Sequence, residues 1–295
     1  MRNNEDQTPT HPTHFYKYKA ISDSDGGNDR DQSKKMLEHL SQIFTRNELY
    51  FSSVGRFNDP FDCKFKVDSS CSPVDRRRYH QYLLEKYEPS SDSSKIQEIL
   101  DAADKNLAPG LTKFFDKMVQ DGAIREAEEW GLYCLSTVPD NILMWAHYAN
   151  DHQGFCLEFL NATNQQFRVE PNPEERGNSP KVLVPLEVQY SEKYPVVNFI
   201  RNFIHSDRVT AGITTCLRKA KQWEYEQEWR IVDINGPGPH HFPPECLSGV
   251  IFGCRMSDKH KEMIRGWCQD RHPTIKYYQA RQSEEEYRLH IEEIP

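Results

Sequence analysis

Short strand-like runs, set at irregular intervals among helical ones, are the feature that most limits what this chain can fold into. FYKYKAI (15–21), ELYF (48–51), GLYCLSTV (131–138), GFCLEFL (154–160), KVLVPLEVQYS (181–191), EWRIVDI (228–234), GVIFG (249–253) and TIKYYQA (274–280) have the alternation or the aromatic and β-branched content of strands. MLEHLSQIF (36–44), the stretch 206–223 and residues 257–270 have helical periods. In 206–223 the stripe is Val209, Ile213, Leu217 and Ala220, with Ser206 or Asp207 as N-cap. Between 69 and 130 only helical signals occur, broken by Ser, Asp and Pro, so this stretch reads as a helical insertion. No regular βαβα rhythm links the strands, which places the chain in the α+β class rather than among doubly wound folds.

Residues 1–13 carry prolines and no periodicity and read as a disordered tail, leaving 14–295 as one α+β domain. The formal charge of −8 argues against a surface that grips nucleic acid in bulk, while leaving a local basic patch open. No apolar run reaches membrane-spanning length, and the polar N-terminus lacks a signal-peptide core, so a cytoplasmic protein is expected, with signal-less export as an effector left open. Eight cysteines without a Cys-x-x-Cys pair read as reduced thiols, and no metal motif is present. There is neither a G-x-G-x-x-G after a first strand nor a Walker loop.

Three constellations bear on chemistry. In WEYEQEWRIV (223–232), an unbroken strand puts Glu224, Glu226, Glu228 and Arg230 on one face and Tyr225, Gln227, Trp229 and Ile231 on the other. Either the aromatics enter the core and the charges meet water, or the row faces a cleft that perturbs the carboxylates. In the stretch 131–159 a strand ends in Ser136-Thr137, and a Pro-Asp turn leads to a short helix with Trp145, His147 and Tyr148. Those aromatics either pack on the sheet or offer a stacking surface with a polar tip. His147 with Cys134 or Cys156 raises a Cys–His nucleophile, against which buried cysteine is ordinary packing. In LYFSSVGRFNDPFD (49–62), Asn58-Asp59-Pro60 is first a turn device, with Phe57 and Phe61 as anchors. His240-His241 reads as a loop, and Arg218, Lys219 and Lys221 either meet phosphates or balance the acids.

In this order, LYFSSVGRFNDPFD, LSTVPDNILMWAHYANDHQGFCLEF, KQWEYEQEWRI and LSGVIFGCRMS resemble the blocks of the bacterial domain-of-unknown-function 2971 (DUF2971) family over roughly residues 15–257, a family whose name carries no activity. A remoter pattern is similar to the arginine-modifying ADP-ribosyltransferases: a basic residue on the first strand (Lys17 or Lys19), Ser136-Thr137 at a strand, and Glu226-x-Glu228 entering a late strand behind Tyr225. Lysine stands where arginine or histidine is usual, and Val138 where a second serine is. That resemblance implies a core of two small, mostly antiparallel sheets and NAD as substrate, with no metal. Glu228 would hold the ribose 2-hydroxyl as an oxocarbenium ion develops, and Glu226 would orient or deprotonate a macromolecular acceptor. Lys17, Tyr18, Ser136, Thr137, Tyr148, Arg218 and Lys221 would bind the dinucleotide, and Trp223 and Tyr225 the acceptor. Such an enzyme would be a toxin or an effector, as in phage defence. The alternatives are a non-catalytic binding module, which predicts Glu224, Glu226 and Glu228 exposed away from any pocket, and a hydrolase or nuclease acting on nucleic acid.

Overall fold

The computed structural model describes residues 11–22, 30–68, 70–87, 92–105, 114, 117–118, 121–122, 125, 128–161, 167–171, 182–204 and 208–295. In chain order these form β1 (His14–Lys19), α1 (Arg30–Thr45), β2 (Glu48–Ser53), β3 (Lys66–Val67), α2 (Pro73–Tyr87), α3 (Ser93–Asp104), β4 (Gly131–Ser136), α4 (Ile142–Tyr148), β5 (Phe155–Leu160), β6 (Glu170–Pro171), β7 (Leu186–Glu187), β8 (Gln189–Ser191), β9 (Val196–Val197), α5 (Phe199–Ile204), α6 (Arg208–Cys216), β10 (Arg218–Ala220), β11 (Glu228–Asp233), β12 (Gly238–His241), β13 (Leu247–Phe252), α7 (Asp258–Trp267), β14 (Lys276–Gln282) and β15 (Leu289–Ile294). The mixture is that of the α+β class. Most of the expected tail lies outside the described residues, and the expected insertion over 69–130 contains α2 and α3.

Eleven strands form one hydrogen-bonded network, with path β15-β14-β13-β5-β1-β4-β2-β12-β6; every pair in it is antiparallel except β13–β14. β4 is the junction. One edge pairs with β11 along its whole length, and β7 extends β11. Along the other edge, β2 meets β4 only at Gly131 and Leu132, and β1 meets it only at Ser136. The sheet therefore opens between β1 and β2 into two mostly antiparallel arms that share β4; the ADP-ribosyltransferase resemblance implied a core of two small, mostly antiparallel sheets. In the opening the Lys17 ammonium, not a strand partner, donates to the Cys134 carbonyl at 2.7 Å.

The arms close over a common core. Phe15, Phe155, Leu157, Phe159 and Phe252 come from one arm, Leu49, Phe51 and Phe242 from the other, and Leu40, Ile43 and Phe44 of α1 cover them. Burying a side chain of this size contributes about 1.5–3 kcal/mol. On the far face of the first arm, α4 packs Met144 and Trp145 against Tyr18, Cys156 and Ile251. Asn141 starts α4 by accepting from the Leu143 and Met144 amides. The turn after α4 returns at Gly154, where a Cβ would collide with the Lys19 carbonyl oxygen.

Three local expectations change. The helix expected over 206–223 stops at Cys216, because β10 leaves it to pair with β8, Lys219 opposite Tyr190. Its expected N-cap lies outside the described residues. WEYEQEWRIV is not one strand: 221–226 is a 3₁₀ turn, Gln227 is left-handed at φ 43°, and the strand begins at Glu228. His240 lies not in a loop but in β12, buried with Nε2 2.7 Å from Asp233.

Candidate active site

Where the arms part there is a cleft of about 370 Å³. Its floor is β4 from Leu132 to Ser136. Lys17 and Lys19 of β1 form one wall; Lys219, Glu226, Glu228 and Asp62 form the other. Tyr148, His147 and Met144 of α4 close the rim.

The acidic wall comes from the break in WEYEQEWRIV. The left-handed residue between them lets Glu226 and Glu228 converge on one ammonium: Lys219 Nζ lies 2.5 Å from Glu226 and 2.8 Å from Glu228. Residues two apart on an ideal strand stand about 7 Å apart along it. Glu228 is also gripped by Arg230, Nε to Oε1 at 2.7 Å and Nη2 to Oε2 at 3.1 Å. Arg230, itself fully buried, forks onto Asp62 at 2.9 and 2.7 Å and donates to the Cys216 carbonyl. The second Glu226 oxygen accepts from the Tyr148 hydroxyl at 2.7 Å. Of the two alternatives for the charged row, Glu226 and Glu228 thus take the cleft and not open water. Glu224 alone of the three glutamates is exposed. A binding module with Glu226 and Glu228 away from any pocket is inconsistent with this placement.

The two carboxylates differ in acidity. Burial raises the Glu226 carboxyl above its ordinary 4.5; Lys219 opposes this and the Glu228 charge adds to it. Burial acts on Glu228 in the same sense, but Arg230 and Lys219 outweigh it and hold that carboxyl far below the ordinary range. Two neighbouring acids driven apart in this way are poised for different tasks at one pH.

The basic wall is the opposite case. Among the described residues no carboxylate pairs with Lys17 or Lys19; both ammoniums lie over the Tyr133 ring, 4.8 and 5.7 Å from its centre. Burial, reinforced by Lys17, pushes Lys19 down to about 7. The Tyr133 hydroxyl is buried with no hydrogen-bond partner in the described structure.

Of the residues singled out by sequence, Lys17, Tyr18, Ser136, Tyr148, Glu226 and Glu228 line the cleft. Thr137, Arg218, Lys221, Trp223 and Tyr225 do not. Lys221 is exposed and Arg218 opens onto a separate groove, because the 3₁₀ turn and β10 carry them away. Thr137 Oγ1 donates to the Gln227 side chain. Trp223 and Tyr225 sit outside the rim, Trp223 edge-on to His147. Ser136 does not hold the Glu228 carboxylate. Its Oγ donates to the Glu226 carbonyl at 2.5 Å and so fastens the glutamate turn to β4. The Tyr18 hydroxyl is committed to the Val138 carbonyl. Trp145 is fully buried in the core. The thiols are disfavoured as nucleophiles: burial, with the Glu228 charge adding, pushes Cys134 up to about 12, and Cys156 is raised likewise by burial. Asp62 and the buried role of Arg230 were missed. Asp62 follows Asn-Asp-Pro in a turn, and no spacing ties it to Arg230, which is 168 residues away.

Among the described residues no group of three or more His, Cys, Asp or Glu is placed to hold a metal ion, and no helix is long and apolar enough to cross a membrane. Neither a curated protein nor a solved structure matches the chain. Residues 144–231, which carry Tyr148, Lys219, Glu226, Glu228 and Arg230, match the model of a family described as "Protein of unknown function (DUF2971)", in agreement with the family resemblance of the sequence blocks.

Proposed function

We propose that the chain is an ADP-ribosyltransferase-like enzyme that cleaves the nicotinamide–ribose bond of NAD and transfers ADP-ribose to a macromolecular acceptor. The observation that carries this reading is the pair of unlike carboxylates, Glu226 and Glu228, facing across one cleft two lysines that have no carboxylate partner among the described residues. Its volume lies within the range of small-molecule sites. The half-buried Tyr148 ring offers a stacking face, and Lys17 and Lys19 offer charge to a pyrophosphate.

In the reaction the bond between ribose C1′ and the pyridinium nitrogen breaks and its electron pair leaves with neutral nicotinamide. Positive charge grows on the ribose, and the ionised Glu228 stabilises it at short range. An acceptor oxygen or nitrogen then bonds to C1′ and gives its proton to Glu226, whose raised affinity for protons suits a base. Lys219 holds both carboxylates in place, so little reorganisation is needed as charge develops. Such an enzyme consumes NAD or modifies a macromolecule, as a toxin or defence effector does.

Purified protein incubated with NAD is expected to release nicotinamide, and Glu228→Gln to release about a hundredfold less. Cells expressing Glu228→Gln should outgrow cells expressing the parent. Absence of nicotinamide release and of target labelling, together with equal growth, removes the reading. A second reading rests on the complete pairing of Glu228 with Arg230 and Lys219: a cleft that binds its ligand without turning it over. It predicts that NAD binds intact and is recovered unchanged.

A further inference from the structure

A second concavity, of about 260 Å³, lies on the other side of Lys219. Its frame is two small parallel sheets, β3 with β9 and β8 with β10. The turn 192–195 links them, closed by a 2.5 Å bond from Ser191 Oγ to the Lys193 carbonyl. Strand geometry therefore fixes the positions of Lys66 and Arg218, while Lys193 sits on a braced turn and Lys64 just ahead of β3.

These four cations face the groove against one acid, Glu192. Among the described residues none of the four has an ion-pair partner, unlike Lys219 beside them, whose charge is taken by Glu226 and Glu228. The groove is thus locally positive on a chain of formal charge −8. Two aromatic rings line it as well, Phe61 at 62% exposure and Tyr194 at 40%. Exposed phenylalanine among unpaired cations is poorly solvated surface that gains from a flat apolar cover.

We infer that this groove binds single-stranded nucleic acid, with phosphates on Lys64, Lys66, Lys193 and Arg218 and unpaired bases on Phe61 and Tyr194. An acidic peptide satisfies the cations but leaves the rings uncovered. A duplex satisfies the cations but keeps its bases stacked on each other. A single strand alone supplies both chemistries. The acidic remainder of the surface confines binding to this patch, in keeping with the expectation from net charge that nucleic acid is not gripped in bulk.

Groove and cleft share a wall. Lys219 lines both, and Phe61 of the groove adjoins Asp62 of the cleft. A strand held here runs beside the Glu226–Glu228 pair, so on the transferase reading it is the acceptor. Binding itself does not depend on that reading.

The test is fluorescence anisotropy with labelled single-stranded oligo(U) and oligo(dT) of about 12 nucleotides, within the span of known single-strand sites. The comparisons are a duplex of equal length and a polyglutamate peptide. Single strands should bind best, with log affinity falling against log salt at a slope of about −2 to −3 for three to four phosphates. Lys64→Glu with Lys193→Glu should weaken binding about tenfold or more. Phe61→Ala with Tyr194→Ala should weaken it about fivefold or more. All four residues are exposed, and circular dichroism checks that the variants fold. The inference is overturned if the peptide or the duplex binds as tightly as the single strands, if none binds, or if neither double variant weakens binding. The readout is binding, so protein that releases no nicotinamide still passes or fails this test, and the two readings stand or fall separately.

Discussion

The two walls of the cleft are built from opposite electrostatic solutions. On one, Asp62, Lys219, Glu226, Glu228 and Arg230 are buried, and each charge has a partner within 3 Å. On the other, Lys17 and Lys19 stand over an aromatic ring with no carboxylate partner among the described residues. Desolvating an isolated ion costs several kcal/mol, a cost that pairing offsets on the first wall and that lowers the Lys19 pKa on the second. The acidic wall is therefore complete in its pairing. The basic wall offers its charge to an anion from outside, and on the proposed reading it takes the substrate phosphates while its opposite does the chemistry.

Breaking the paired wall should have the largest effect. Arg230→Met leaves Asp62 and Glu228 buried without their main counter-charge and should cost about 3–5 kcal/mol in urea unfolding. A loss below about 1 kcal/mol would show that water reaches these carboxylates and that the wall is less closed than its burial indicates.

Next in size is the split between the two acids. Glu226→Gln should lower ADP-ribose transfer to an acceptor about a hundredfold or more while leaving NAD binding by calorimetry nearly unchanged. In the parent, transfer should fall as pH drops, with a midpoint above 4.5, since Glu226 must lose its proton to act as base and burial makes it hold that proton. Glu228, held far below the ordinary range, stays ionised throughout and gives no limb. Its contribution to stability is present above the unfolded carboxylate value and is lost only in strong acid.

A smaller effect belongs to Tyr148. Tyr148→Phe removes the 2.7 Å bond to Glu226 and should cost about 1 kcal/mol. That bond favours the ionised carboxylate, so its loss should also move the acid limb of transfer to higher pH. An unchanged limb would mean that Tyr148 serves only to stack.

The basic wall gives the smallest effect, of opposite sign. Lys19 is lowered from 10.5 to about 7, so below pH 7 both states carry its proton and the folded state bears the full cost. Between pH 7 and 10.5 the unfolded chain binds more protons, and stability rises with pH. Lys19→Met should therefore raise Tm by about 2 °C or more at pH 6 and by little near pH 10. Phosphate or pyrophosphate added to the parent at pH 6 should reproduce part of that gain.

Local pattern made much of the secondary structure legible. The alternation of FYKYKAI and GFCLEFL is β1 and β5, and the apolar spacing of 36–44 lies inside α1. Asn141 before an apolar run is the cap of α4. Glu226, Glu228, Ser136, Tyr148 and Lys17 were picked out from residue type and order, and all five line one cleft. What failed was the same logic extended too far. A period-two row was read as one strand whose charged face met either water or a cleft, yet the chain turns at Gln227 and buries Glu226 and Glu228 beside the cleft. Periodicity reports which residues share a face and not which face is inside, when both carry large side chains.

By itself, then, the sequence determined the α+β class, the principal strands and the types of residue available for chemistry, because these follow from interactions within a few residues. Only the tertiary structure decided that β1 and β2 part over β4, that Asp62 reaches Arg230 across 168 residues of chain, and that Arg218 faces a groove instead of the cleft. Those outcomes depend on closing long loops and on pairing buried charges, and both are settled by the whole fold at once.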